Sequence, residues 1–185
     1  NLDQSLACIL QSLELKPNQP VALMNLGNIY KDLGSLDQAL ASTLQSLELQ
    51  PDNPAAFFHL GSIYKDLGNL EQALASTLQS LKLQPNHPGA LMNLGSTYKD
   101  LGNLDQALAS TLQSLKLQPH NPGALMNLGS IYQDLGSFDY ALASTLKSLK
   151  LRPDNPIALM NLGGIYKDLG NLDQALAPVL QSLEL

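Results

Sequence analysis

The chain has 185 residues, with 16 acidic and 10 basic side chains, a net charge of −6 and a pI near 4.8. That balance opposes the broad basic surface a phosphate backbone needs, and Arg152 is the only arginine for bidentate contacts, so nucleic acid is excluded as a partner. No run approaches the about 18 consecutive apolar residues of a membrane span, and no basic segment followed by an apolar run opens the chain, so no membrane contact is expected of this stretch.

The dominant pattern is a period of 34 residues, which places Gly27, Gly61, Gly95, Gly129 and Gly163 in one column and Tyr30, Tyr64, Tyr98, Tyr132 and Tyr166 in another. Taken in chain order, the first element is half a unit. Asn1 to Lys16 aligns with Ser35 to Gln50, so residues 1–19 read as the second helix of a truncated copy, and the chain reads as a piece of a longer protein. Cys8 stands where later copies have Ser42, Ser76, Ser110 and Ser144; it has no thiol neighbour at a metal-ligand spacing and reads as a small-residue position. Five copies follow, at 20–53, 54–87, 88–121, 122–155 and 156–185.

The copy at 54–87 shows how each unit is written. Ala56, Phe57, Leu60, Gly61, Tyr64 and Leu67 recur at helical spacing and predict helix A. Leu70, Ala73, Leu74, Thr77, Leu78 and Leu81 predict helix B. Asn53 before Pro54 is an N-cap with proline at the first helical position, and Asn121-Pro122 and Asn155-Pro156 repeat it. Gly68 closes helix A, Asn69 is expected to cap helix B, as are Ser35, Asn103, Ser137 and Asn171, and Pro85 stops it. So short a turn forces the two helices antiparallel, with Gly61 and Ala73 as the small residues that let them approach. Neither helix is stable alone, so each copy must lean on the next and the fold class is all-α. Pro178, inside the last helix B, predicts a bend or early fraying there.

Leu26-Gly27, Tyr30, Gly34, Ala39 and Pro51, with their translations by one period, resemble the tetratricopeptide repeat signature over the whole chain. The resemblance implies a single array of antiparallel helix pairs wound into a right-handed superhelix, with the A helices lining a concave groove. Two positions depart from the signature. Its tryptophan is Leu23, Phe57, Leu91, Leu125 and Leu159 here, and its aromatic residue in helix B is Thr43, Thr77, Thr111, Thr145 and Val179.

Helix A residues that face neither helix B nor the next copy form columns: Asn25, His59, Asn93, Asn127, Asn161, then Asn28 with Ser62, Ser96, Ser130 and Gly164, and Met24, Phe58, Met92, Met126, Met160. A carboxamide both donates and accepts, so a ladder of them can bond successive peptide groups of an extended chain, over an adaptable methionine floor. Asn25, Asn93, Asn127 and Asn161 resemble the asparagine ladder in the repeat superhelix of the O-linked N-acetylglucosamine transferases, which His59 interrupts. The competing reading is that these asparagines bond the next helix or water. The expected site is therefore a peptide groove of Asn25, Asn28, Phe58, His59, Met92, Asn93, Met126, Asn127, Met160 and Asn161. Lys31, Lys65, Lys99 and Lys167 form a line beside Asp32, Asp66, Asp100, Asp134 and Asp168, which largely cancels its field, so this strip reads as a solvated helix end.

Catalysis needs unlike groups converging on one point, which a repeated residue does not supply. His59 lies on a groove-facing helix while His87 and His120 lie in loops, so no metal cluster, cofactor site or activated nucleophile is expected and the stretch reads as non-catalytic. Two functions stay open: an interaction scaffold whose groove binds an extended segment of another protein, and the substrate-recruiting arm of a larger enzyme such as a glycosyltransferase. The cytoplasm is the expected compartment. Leu2, Leu6, Ile9, Leu10 and Leu13 lack their own A partner, so end-to-end self-association is also expected.

Overall fold

Proline and glycine punctuate this chain, and helices fill the intervals. The computed structural model describes residues 2–185, the side chain of Asp3 excepted; Asn1, assigned above to the first helix, lies outside the described residues. Those residues form eleven α-helices and no strand. Helix α1 (Leu2–Leu15) is followed by the A/B pairs α2 (Pro20–Asp32) and α3 (Leu36–Leu49), α4 (Pro54–Asp66) and α5 (Leu70–Leu83), α6 (Pro88–Asp100) and α7 (Leu104–Leu117), α8 (Pro122–Asp134) and α9 (Phe138–Leu151), and α10 (Pro156–Asp168) and α11 (Leu172–Leu183). The chain divides into two compact units, 1–93 and 94–185, cut within α6 rather than at a repeat boundary.

The A helices begin as their sequence requires. Asn53 Oδ1 accepts from Ala55 N at 3.0 Å and Ala56 N at 3.2 Å, Asn121 Oδ1 from Ala124 N at 3.1 Å, and Asn155 Oδ1 from Ile157 N at 3.1 Å. Each A helix closes at a glycine in the left-handed region, φ 75° at Gly34 and Gly68. There the amide of Ser35 donates to Tyr30 O at 2.8 Å and that of Gly34 to Lys31 O at 2.9 Å, the paired bonds of a Schellman closure.

The expected side-chain caps on the B helices are corrected by this closure. Ser35, Asn69, Asn103, Ser137 and Asn171 stand at the N-cap positions but make no capping bond. The residue after the glycine already spends its amide on the preceding helix, which holds Asn69 at φ −84°, ψ 70°, outside the extended conformation that aims an N-cap side chain at the helix.

In unit 1, α2 packs on α3, α3 on α4, and α4 on α5, around Leu23, Leu26, Ile29, Leu60 and Ile63. In unit 2, α8, α9, α10 and α11 pack in succession around Leu125, Leu128, Ile131, Leu159, Leu162 and Ile165. The missing signature tryptophan is thus a buried leucine in four of the five copies, Leu23, Leu91, Leu125 and Leu159. The expected face of helix B holds in part: Ala73 and Thr77 are buried and Leu70, Leu74 and Leu81 half-buried, but Leu78 is exposed, while Ser76 and Ser80 are buried instead.

The cause is the close approach of helix A. A Cβ on Gly61 would run into Thr77 Oγ1, and one on Gly129 into Thr145 Oγ1, so the seam admits only small residues on both sides. Most of the buried hydroxyls along it find a carbonyl: Thr77 Oγ1 donates to Ala73 O at 2.8 Å, and Ser80 Oγ reaches across to Pro54 O at 2.8 Å, as Ser46 does to Pro20 O and Ser148 to Pro122 O, both at 2.7 Å, whereas Thr111 Oγ1 and Thr145 Oγ1 are buried without a partner among the described residues.

Pro178 does not end the last helix early: α11 continues through it to Leu183. It stands in the column of Ser42 and Ser110, whose hydroxyls donate to Gln38 O and Gln106 O at 2.8 Å, so Gln174 O is denied both the backbone and the hydroxyl donor. Further along, Ser182 Oγ bonds Val179 O at 2.7 Å, within its own helix rather than across to helix A.

Candidate functional site

The A helices of each unit carry a stripe that helix B does not cover. On α8 it runs through Met126, Asn127, Ser130 and Gln133, all half-buried, at steps of one, three and three residues. On α10 it runs through Met160, Asn161, Gly164 and Lys167, and Met160 is 60% exposed.

Polar contacts join these stripes from one A helix to the next. In unit 2, Lys99 donates to Ser130 Oγ at 3.1 Å and pairs with Asp134 at 3.6 Å, and Gln133 Nε2 donates to Asp168 at 2.7 Å. In unit 1, Lys31 lies 3.5 Å from Asp66 of the next copy and 3.9 Å from its own Asp32. The lysine and aspartate columns therefore link successive copies, a role that the expectation of a solvated helix end missed.

The two units present this face differently. In unit 2 the carboxamides of Asn127 and Asn161 are half-buried and have no hydrogen-bond partner among the described residues. Asn155 Nδ2 lies 3.8 Å from Met126 Sδ, so the cap of α10 touches the methionine floor. In unit 1, Asn25 is exposed and Asn28 half-buried, whereas Met92 and Asn93 lie half-buried near the end of the unit.

Unit 1 also gathers an aromatic cluster. The Phe58 ring lies 5.3 Å from His59 and 4.9 Å from His87, both tilted. His87, placed above in a loop, is the N-terminal cap of α6: its Nδ1 accepts from Ala90 N at 2.9 Å. The column Asn53, His87, Asn121, Asn155, each followed by proline, carried that signal. Gly89 makes room for the stack, since a Cβ there would lie 3.2 Å from His87 Cε1 and 3.4 Å from Phe58 Cζ.

Burial pushes the His59 imidazole below the usual histidine pKa of 6.5, and the charges of Lys31 and His87 push the same way against the opposing pull of Asp32. A neutral imidazole both donates and accepts, so His59 keeps the hydrogen-bonding character of the asparagines in its column.

Among the described residues no group of three or more His, Cys, Asp or Glu is placed to hold a metal ion, and no helix is long and apolar enough to cross a membrane. Cys8 is exposed, unlike the buried Ser42 and Ser110 in its column. Helix α11 exposes Leu172, Leu176, Leu180 and Leu183, and α1 exposes Leu2 and Leu10.

The family follows from these units of one A and one B helix at a fixed period. The family model described as TPR repeat matches residues 27–68, 61–102 and 95–136, and a second, described as Tetratricopeptide repeat, matches 126–184. The chain belongs to the tetratricopeptide repeat family. No curated protein matches it at a significant level.

Solved structures agree on the fold. TTC0263, a thermophilic TPR protein of Thermus thermophilus, is similar at 28% identity with a TM-score of 0.80, over 90% of this chain and 91% of that one. YrrB, described as a TPR protein with an unusual peptide-binding site, is 20% identical with a TM-score of 0.66, over 95% of this chain and 91% of its own. A chain of the APC/C hetero-tetramer Cut9-Hcn1 superimposes with a TM-score of 0.93 at 19% identity, and all of this chain spans 36% of it.

Proposed function

We propose that the uncovered face of the A helices binds an extended segment of another protein, each unit offering its own surface. The observation that carries this reading is the pair of half-buried carboxamides, Asn127 and Asn161, with no partner among the described residues. Neither carboxamide is sealed from an incoming ligand, and two that both donate and accept, at equivalent positions on successive A helices, suit the repeating peptide groups of an extended ligand. Met126 and Met160 add apolar surface that adapts to varied side chains. In unit 1 the corresponding surface is Asn25, Asn28, Phe58, His59, Met92 and Asn93, where the Phe58 and His59 rings select the side chain presented to them.

A peptide isolated from a random library on the whole chain tests the reading. Two neutral hydrogen bonds of about 1 kcal/mol each correspond to a loss of about 30-fold when Asn127 and Asn161 are both changed to Ala. Thermal stability should stay unchanged. Undiminished affinity in a folded double variant contradicts the proposal, while a melted variant assigns both residues to the fold. In unit 1, His59→Asn should broaden the range of peptides selected, and an unaltered selection removes His59 from the surface. The exposed leucines of α1 and α11 support self-association that grows with concentration; strictly monomeric sedimentation counts against it.

A further inference from the structure

Copy four departs from the others within eight residues. Where the rest have Lys31, Lys65, Lys99 and Lys167 it has Gln133; Phe138 replaces the leucine that opens helix B, and Tyr140 replaces the glutamine two residues on. All three changes fall around the A/B turn of unit 2, so the surface they make is unique to this copy.

There the Tyr140 ring lies 5.3 Å from that of Tyr132, tilted by 32°, and Tyr140 remains 67% exposed. Phe138, Asp139, Tyr140 and Leu169 line a pocket of about 260 Å³ beside the pair. An exposed aromatic where the repeat uses glutamine leaves apolar ring surface in water with no packing role in the seam. The charges around it are unbalanced. Gln133 answers Asp168 with a neutral amide at 2.7 Å, where Lys31 answers Asp66 with a cation at 3.5 Å. Lys99 is engaged with Asp134, and Asp139 has no cation paired to it among the described residues.

We propose that this edge is a docking site for an arginine side chain carried on an exposed segment of a partner protein. A guanidinium is planar and weakly hydrated: it stacks on the open face of Tyr140 and directs its N–H fork at the Asp139 carboxylate. Neutral Gln133 stands where other copies carry lysine, so this copy holds one cation fewer near its A/B turn. None of Met126, Asn127, Met160 and Asn161 lines this pocket, so either reading can fail without the other.

The test titrates the chain with a glycine-serine peptide carrying arginines, followed by NMR of the tyrosine rings, against matched lysine and citrulline peptides. The arginine peptide should move the Tyr140 and Tyr132 signals and bind more tightly than the lysine peptide, and the uncharged citrulline peptide should not bind. Tyr140→Gln should weaken binding by about fivefold, the scale of one exposed cation–π contact. The combination Gln133→Lys, Phe138→Leu and Tyr140→Gln should abolish it. These are the residues other copies carry at the same places, so the fold is retained. Unmoved tyrosine signals, equal binding of citrulline, or undiminished binding by the triple variant overturns the proposal. Self-association that is lost on Arg152→Gln would assign the pocket to a second copy and overturn it equally.

Discussion

The seam between helices A and B and the outer stripe of helix A lie on opposite sides of the same helix and obey different rules. Along the seam Gly61 meets Thr77 and Gly129 meets Thr145, with serines reaching back to the first turn of helix A. Only the last copy varies it, with Val179 against Gly163. On the stripe the copies diverge: asparagine gives way to His59, methionine to Phe58, and Asn28 to serine and then Gly164. Close approach leaves no freedom at the seam, whereas a face that no B helix covers is free to be specialised.

Glycine gives the sharpest way to break this comparison. A Cβ at Gly129 would lie 3.2 Å from the Ala141 carbonyl and collide with Thr145, whereas one at Gly164 meets only the flexible end of Gln133, also at 3.2 Å. Gly129→Ala should therefore destabilise by about 1–3 kcal/mol through overpacking. Gly164→Ala should be neutral or stabilising by up to about 1 kcal/mol, the usual gain of alanine over glycine in a helix. Calorimetric melting of the two variants reads the difference, and equal losses would erase the distinction between the faces.

A smaller effect separates the two kinds of helix start. Asn121→Ala should cost about 1 kcal/mol, because its Oδ1 caps α8, while Asn103→Ala should change stability by less than about 0.5 kcal/mol. Urea denaturation decides it, and a comparable loss at Asn103 would restore the side-chain cap that the structure lacks. On the seam, Ser148→Ala should cost about 1 kcal/mol by removing the donor to Pro122 O, and an unchanged midpoint would make that bond incidental.

The least effect is one of pH. The pKa of His59 is lowered in the folded chain, so the unfolded chain binds the proton more tightly. Its contribution to stability is present above pH 6.5 and is lost as the pH falls from there through the lowered folded value. His59→Asn should flatten that part of the stability profile; a profile unchanged by the substitution would deny the burial of this imidazole.

The helix pairs were legible because their punctuation is chemical: proline opens helix A, and glycine must close it where φ turns positive. The buried face of helix B was legible only in part. Apolar periodicity weights Leu78 above Ser80, but a seam narrowed by glycine excludes leucine and admits a serine whose hydroxyl finds a carbonyl across it. The caps of helix B were misread because the local motif is the same whether or not the preceding turn has already claimed the backbone. His87 was hidden by its residue type, since an imidazole nitrogen serves as a cap acceptor as the asparagine oxygens do. The links from Lys31 to Asp66 and from Gln133 to Asp168 join residues 35 apart, one more than the period, which reading within one copy overlooks.

The chain's 4 methionines, Met24, Met92, Met126 and Met160, all stand in the outer column of helix A, so their methyl groups report on that face and on nothing else. The most direct measurement is a methyl NMR titration of the whole chain, labelled at methionine and threonine, with a peptide selected from a random library. The account predicts that methionine signals shift and saturate while those of Thr77, Thr111 and Thr145, buried in the seam, stay still. Saturable binding that leaves all four methionines unmoved would contradict it.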